Sequence, residues 1–224
     1  MIKSKQQGLL IVISAPSGAG KGTIINKMLE KNNNLWLSVS ETSRPMRAND
    51  IDGITYHFCT KEEFEEKIKD DYFLEYALYA NNYYGTPKKY IQEHLSKGQD
   101  VILEIEIQGA MQIKKLIPEA LFIFIMPPSL NELKKRLVGR GTDTKEKILE
   151  RFKIAYQEMN DVTKYNYVVV NDEIDVAADK ILSIIKAERC RVDRIEDVFL
   201  NTEEEYMHEM LVDKDLDNNP LEIN

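Results

Sequence analysis

Hydrophobic residues fall along this chain in two kinds of pattern. In the first, four short runs are apolar almost without interruption: Leu9–Ile13, Val101–Leu103, Leu121–Ile125 and Tyr167–Val170. Such runs, rich in β-branched and aromatic residues, are too short for free-standing helices and read as strands buried on both faces. In the second, apolar residues recur every three or four positions: Ile24, Ile25, Met28 and Leu29, then Phe64 and Ile68, then Leu130, Leu133 and Leu137. That spacing predicts helices with one apolar stripe. Two of them carry start signals, Thr60 with Glu63 and Ser129 with Glu132, at capping-box spacing. Further helices are expected over Lys88–Lys97, over Gly109–Leu116, from about Thr144, and over Ile174–Arg191. Buried strands alternating with helices predict an α/β protein with a parallel core sheet covered on both faces.

The pattern changes between about residues 40 and 98. Trp36–Ser40 and Tyr56–Phe58 read as short strands. Glu41–Gly53 is polar, holds Pro45 and Gly53, and reads as an exposed loop. Phe73–Ala80 is a strand rich in aromatics, and Asn82–Pro87 reads as a turn. Asp100–Ile107 reads as one strand whose Glu104 and Glu106 point to the same face. The segment 40–98 is therefore an inserted lobe of mixed α and β structure. Residues Met1–Gln7 are polar and read as loose. From Thr202 onward, acids from Glu203 to Glu222 face a single lysine, Lys214, which predicts a C-terminal extension over 188–224, helical near Glu203–Leu211 and disordered beyond.

Composition narrows the function classes. The 224 residues, 43% hydrophobic and 30% charged, suit one large domain with inserts. A net charge of −8 argues against a nucleic-acid partner, which needs a broad basic surface. Cys59 and Cys190 lie far apart with no metal-ligand spacing, which suits reduced thiols in a cytoplasmic protein. No stretch approaches the ~20 apolar residues of a membrane span. Lys3 and Lys5 precede an apolar run, but the run leads straight into glycines, unlike a signal peptide.

Those glycines carry the chemistry. The strand Leu9–Ile13 is followed by Ala15, Pro16, Ser17, Gly18, Ala19, Gly20 and Lys21, then Gly22 and Thr23 as a helix begins. Strand, glycine loop, lysine and helix form a phosphate-binding loop, whose amides and helix dipole cradle an anion. The match to G-x-x-x-x-G-K-[ST] departs at both ends: Ala15 replaces the first glycine, and Gly22 replaces the hydroxyl, with Thr23 one place later. Arg44 and Arg47 lie three apart around Pro45, and arginine forks suit phosphate oxygens, as do the hydroxyls of Tyr56 and Tyr84. Glu75 sits in an otherwise apolar strand. On an exposed face it would be unremarkable, but facing a cleft it would accept from the N1–H and N2–H₂ donors of guanine, which adenine lacks. Glu104 and Glu106, at a strand's carboxyl end, stand where ligands of open α/β sheets bind, with one suited to Mg²⁺ through water. Arg136, Arg140 and Arg151 beside Gly139 and Gly141 suggest a mobile lid closing over phosphates.

Taken together, SAPSGAGKGT, SVSETSRPMR with GITYHF, FLEYALYANNYYGTP, ILEIEIQG, FIMPPSLNELKKRLVGRGTDT with ERF, and VVVND resemble the guanylate kinase family, in order and over about Gly8 to Ala187. The resemblance implies a P-loop three-layer α/β/α fold. It divides the chain into a core of 8–39 and 99–187, a GMP-binding lobe of about 40–98 and a mobile helical lid of about 139–155. It implies transfer of the γ-phosphoryl group of ATP to GMP, giving ADP and GDP, with Mg²⁺. Carried over by position, Ala15–Gly22 with Thr23 would hold ATP, with Asn171 and Asp172 near adenine. Ser40, Glu75, Thr86 and Glu104 would read guanine. Arg44, Arg47, Tyr56 and Tyr84 would grip the GMP phosphate. Lys21, Arg47, Arg140 and Arg151 would be catalytic, and Thr23 with Glu106 would serve Mg²⁺. Use of dGMP and a monomeric or homodimeric state are left open. Two other readings remain: a guanylate kinase-like module that binds peptides, and a kinase of another small phosphate on the same fold. Lys21 and the lid arginines argue against the first, and Ser40 with Glu75 against the second.

Overall fold

The computed structural model describes residues 3–4, 7–48, 50–79, 81–139 and 145–197. Numbered along the chain, its strands are β1 (Lys3–Ser4), β2 (Leu10–Ser14), β3 (Leu35–Leu37), β4 (Glu41–Thr42), β5 (His57–Phe58), β6 (Phe73–Tyr79), β7 (Asn82–Pro87), β8 (Asp100–Glu104), β9 (Leu121–Met126), β10 (Tyr167–Val170) and β11 (Ile195–Asp197). Its helices are α1 (Lys21–Lys31), α2 (Lys61–Lys69), α3 (Lys88–Ser96), α4 (Ile107–Leu116), α5 (Leu130–Val138), α6 (Lys145–Met159) and α7 (Ile174–Glu188).

The four apolar runs form a parallel sheet, and β3 joins them at one edge in the order β10-β9-β2-β8-β3. β10 is the other edge strand and leaves Val168 and Val170 exposed, so that run is not buried on both faces as expected. Alternation along the strands divides the core in two. Leu10, Val12, Val101, Leu103, Phe122 and Phe124 pack on one face with Ile91 of α3 and Ala110 and Ile113 of α4. Ile11, Ile13, Ile102, Ile123 and Ile125 are also fully buried, as strands covered on both faces require. α1 and α7 bury Ile24, Ile25, Met28, Ala177, Ala178 and Ile181, and Lys31 ties the two helices through Asp175 at 3.1 Å and Asp179 at 2.8 Å. Each central leucine or isoleucine, cut back to alanine, would cost about 2–5 kcal/mol.

The second sheet has the order β5-β4-β7-β6 and lies within residues 41–87. Here the sequence reading needs correction. Asn82–Pro87 is no turn but the strand β7, paired antiparallel with both β4 and β6, and the reversal falls at Asn81, whose φ is 63°. The residues that looked like turn formers, Asn82, Gly85 and Pro87, instead suit a strand that runs beneath aromatic rings. A Cβ on Gly85 would stand 2.9 Å from both Phe64 and Phe73, whose rings stack at 4.3 Å. Glu41 and Thr42 are buried, so the expected exposed loop starts later than its polarity suggested. α2 starts with the predicted capping box, Thr60 and Glu63 each accepting from the other's backbone N–H. At α5 only half of the box forms: Ser129 accepts from the Glu132 N–H, while the Glu132 carboxylate turns to Arg136 at 3.3 Å.

A strand was also expected to run to Ile107. It stops at Glu104, and Glu106 becomes the residue that precedes α4. Glu104 and Glu106 therefore do not share one strand face. In the chain's smaller unit, Met1–Lys5 with Ile185–Asn224, β1 pairs antiparallel with β11, so Lys3 and Ser4, expected within a loose segment, form a strand. There the buried Glu188 carboxylate accepts from Arg191 at 3.4 Å and Arg194 at 3.0 Å. The acidic stretch from Thr202 and its expected helix lie outside the described residues.

Candidate active site

The loop Ala15–Gly20 leaves β2 at the carboxyl edge of the sheet. Ser14 fixes its start by donating to the Ile105 carbonyl at 2.8 Å. Gly18 and Gly20 have φ of 91° and 89°, a region costly for any residue with a Cβ. A Cβ on Gly20 would also come within 2.5 Å of the Asn171 amide nitrogen. That amide donates to the Ala19 carbonyl at 2.7 Å, and Arg136 donates to the carbonyls of Ala19 and Asn171 at 3.3 and 3.1 Å. Asn171 and Arg136 are thus struts outside the loop, and neither lines the cleft that the loop opens into. Asn171 is 3% exposed and its Oδ1 is buried with no partner among the described residues. Asp172 is exposed just beyond β10.

The cleft has a volume of about 1000 Å³. On one side stand Ala15, Pro16, Ser17, Gly18, Gly20, Lys21, Gly22 and Thr23. The Lys21 ammonium lies 3.5 Å from the Glu106 carboxylate and 3.4 Å from the Ile105 carbonyl. Gly22 faces Glu104: a Cβ there would stand 3.7 Å from its Oε1, ordinary contact with nothing in the way. From α6, two side chains seven residues apart reach one loop residue. Arg151 donates to Ser17 Oγ at 2.7 Å, and Glu158 Oε2 accepts from the Ser17 N–H at 3.4 Å. Burial pushes the Glu158 carboxyl up to about 7, helped by the charge of Glu106 and opposed by the Ser17 amide and Lys21. α5 and α6 pack through Leu133, Leu137 and Ala155 with Phe152. Arg140 lies outside the described residues.

On the other side stand Ser40, Arg44, Arg47, Tyr56, Glu75, Tyr84 and Glu104. Arg44 is not a solvated surface arginine. It is 8% exposed, donates to Asp50 at 2.8 Å and to the Pro45 carbonyl at 2.7 Å, and its guanidinium lies 5.5 Å from the Tyr56 ring. Asp50 also accepts from the Arg47 N–H at 2.7 Å, and that bond, with the Arg44 guanidinium, holds its carboxyl below the usual range. The rings of Tyr56 and Tyr84 meet edge to face at 5.8 Å, and burial raises the Tyr56 hydroxyl pKa. Glu75 is 5% exposed, and the pairing of β6 with β7 is irregular between it and Phe73. Thr86, fully buried on β7, donates to Glu75 Oε1 at 2.5 Å. Thr86 therefore stands behind Glu75 and does not line the cleft. Loss of water pushes the Glu75 carboxyl up to about 7 against the Thr86 bond that lowers it.

Sequence reading missed Asp50 and Glu158. Asp50 follows Arg47 by three residues, a spacing that could have flagged an internal partner. Glu158 lay in a helix read as polar, and its two-turn offset from Arg151 was the available signal.

A glycine loop at the carboxyl end of a central parallel strand, opposite a second wall of arginines and tyrosines, gives the cleft groups chemically suited to phosphate at both ends. The fold and the loop together define a P-loop protein. A family model described as guanylate kinase matches residues 7–188. A guanylate kinase from Clostridium tetani is 57% identical over 208 residues, 93% of this chain and 100% of the relative. One from Caldanaerobacter subterraneus is 54% identical, covering 90% of this chain and 98% of the relative. The crystal structure of guanylate kinase from Anaplasma phagocytophilum superposes with a TM-score of 0.72 at 34% identity, covering 86% of this chain and 92% of that one. The chain belongs to the guanylate kinase family, and its activity is transfer of the γ-phosphoryl group of ATP to GMP. No described helix is long and apolar enough to cross a membrane.

Proposed function

We propose that the two walls of the cleft divide the substrates: the glycine loop takes the ATP phosphates, and the lobe of β4–β7 takes GMP. The observation that carries this reading is Glu75, a buried carboxylate at the cleft wall whose bond comes from the neutral Thr86 hydroxyl. Guanine presents two adjacent N–H donors that complete such a carboxylate, whereas adenine would oppose it with a lone pair. Ser40 and Glu104 flank the same wall. Arg44, Arg47, Tyr56 and Tyr84 would hold the GMP phosphate, with Asp50 keeping Arg44 in place until that anion arrives. Asn171 and Asp172 would serve ATP indirectly, through the Asn171 strut on the loop.

Phosphoryl transfer needs positioning and cationic charge more than covalent help. The GMP phosphate is itself the nucleophile. Lys21 would follow the transferring group, leaving Glu106 for phosphate oxygens. Arg151, and Arg140 from outside the described residues, would neutralise charge from the lid side. The donor set also suits Mg²⁺. Glu104 and Glu106 offer hard oxygens, Thr23 stands exposed at the cleft, and Gly22 leaves an open gap against Glu104. Mg²⁺ keeps several waters and binds through one or two carboxylates and substrate phosphates, so the missing hydroxyl at Gly22 is tolerable. The ion, when bound, would neutralise the phosphate charge that Lys21 and the arginines leave. The cytoplasm, where ATP and nucleoside monophosphates meet, is the proposed location, consistent with two unpaired thiols.

The test is an ADP-release assay with ATP, Mg²⁺ and each of GMP, dGMP, AMP, CMP and UMP, run on the native protein and on Glu75→Gln. Turnover confined to guanine acceptors in the native protein, with that preference lost in the variant, is expected. Undiminished preference in the variant would remove Glu75 from the guanine-reading role.

A further inference from the structure

Gly109 is a first-turn helical glycine with no conformational reason to be one. It stands third in α4, and its φ is not among the positive values found at Gly18, Gly20, Gly53 and Gly98. Alanine at such a position would favour the helix by about 1 kcal/mol. The glycine must therefore serve space. The three atoms nearest to a Cβ built there all belong to Glu75: the Cβ would overlap carboxylate Oε2, stand 3.0 Å from Cδ and 3.6 Å from Cγ. Glu75 cannot easily move aside. Its other oxygen is held by Thr86 at 2.5 Å, its side chain is 5% exposed, and the pairing of β6 with β7 is irregular between Phe73 and Glu75, where the strand turns this residue inward. Both Glu75 and Gly109 line the cleft.

We infer that Gly109 is a specificity-determining position. The missing side chain on the first turn of α4 is the space in which the Glu75 carboxylate is set, so the helix fixes how far that carboxylate reaches toward the base. The inference rests on the reading of Glu75 as the guanine acceptor. Gly109 is a positioning residue, since it acts through Glu75. A methyl group at 109 displaces the carboxylate from its Thr86 tether or rotates it away from the base. The ATP wall, built from residues 15–23, is not touched.

The test is a set of four proteins: native, Gly109→Ala, Glu75→Asp, and the double variant. Each is measured for KM with GMP, KM with ATP, GMP-over-AMP preference and Tm. Gly109→Ala should keep its Tm and its KM for ATP, raise KM for GMP at least tenfold and lose most of its preference. Aspartate is shorter by one methylene and clears the new methyl. The double variant should therefore bind GMP better than Gly109→Ala alone, a non-additivity that a merely structural role would not produce. An unchanged KM for GMP in Gly109→Ala overturns the inference. So does a double variant whose losses simply add. Glu75→Gln separates the two readings. If that variant loses guanine preference while Gly109→Ala keeps it, Glu75 reads guanine and Gly109 does not place it. If Glu75→Gln keeps preference, the parent reading itself falls.

Discussion

On the proposed division of substrates, the two walls of the cleft solve recognition in opposite ways. The phosphate wall is one contiguous segment, Ala15–Thr23, which would offer backbone amides and a lysine at the mouth of α1. The base wall gathers Ser40, Glu75 and Glu104 from separate parts of the chain, with Thr86 and Gly109 behind or beside them. Amides at a helix start donate to any phosphate and cost little when empty, because water and neighbouring side chains satisfy them. A buried carboxylate answers one donor pattern and is costly when empty, as the shift of Glu75 to about 7 shows. Generality can be carried by local backbone, whereas selectivity requires a desolvated side chain held by tertiary structure.

The largest expected effect lies on the phosphate wall. Lys21→Ala should lower kcat by on the order of 10³-fold, the scale for losing one preorganised charge at the transferring group. It should leave GMP affinity, measured by equilibrium binding, nearly unchanged. A matching loss of GMP affinity would mean that the two walls are not separate.

Next comes the base wall's cost. The Glu75 carboxyl lies at about 7 in the fold against a reference of 4.5. The folded protein therefore holds a proton that the unfolded chain releases between those values. Stability conferred by keeping that proton is full below about pH 4.5 and is lost as pH rises through 7. Glu75→Gln removes this dependence. In the absence of nucleotide it should stabilise the protein at pH 8 by roughly 3 kcal/mol at most, from about 2.5 pH units at 1.36 kcal/mol each, and by little at pH 5. Denaturant unfolding at the two pH values reads the difference. An equal effect at both would show that Glu75 is not the titrating group.

How legible each wall was follows from the same contrast. The strand β2, the glycines at 18 and 20, and the start of α1 are local features, and each was readable from neighbouring residues. Glu75 stood out as a charge in an apolar strand, but its face could not be decided, because that depends on an irregular pairing with β7, itself mistaken for a turn. Glu104 and Glu106 looked equivalent until the strand ended between them. Thr86, Asp50 and Glu158 take their place from partners 11, 6 and 141 residues away, Glu75, Arg44 and Ser17; local spacing from Arg47 and Arg151 hinted at the second and third, but the contacts themselves are made by the fold.

A smaller effect separates the two glycines of the loop's end. Gly20→Ala places a Cβ at φ 89° and 2.5 Å from the Asn171 amide, and should cost about 1–3 kcal/mol. Gly22→Ala meets only Glu104 at 3.7 Å and should leave Tm within a degree or two. Equal losses would mean that the Asn171 strut does not constrain the loop.

The smallest expected effect lies where α6 meets the phosphate wall. Glu158 accepts from the Ser17 amide, a donor that the proposed reading assigns to a phosphate oxygen, and burial pushes its carboxyl up to about 7. The groups that face it are Glu106, which raises that value, and Lys21 and the Ser17 N–H, which lower it, with Asp161 further along the chain adding to the rise. As pH rises through 7 the group becomes an anion that competes with ATP for the same amide; below 7 it is neutral and yields. At saturating GMP, KM for ATP should therefore climb roughly threefold to tenfold between pH 6 and 8, an effect of at most about 1.4 kcal/mol. Glu158→Gln keeps the size and the acceptor oxygen but not the charge, and should flatten that rise without lowering kcat. Because GMP is saturating, the parallel titration of Glu75 does not enter. Superimposable pH profiles for the two proteins would mean that Glu158 leaves the loop before ATP arrives, and that the phosphate wall is as indifferent to side-chain charge as its backbone construction suggests.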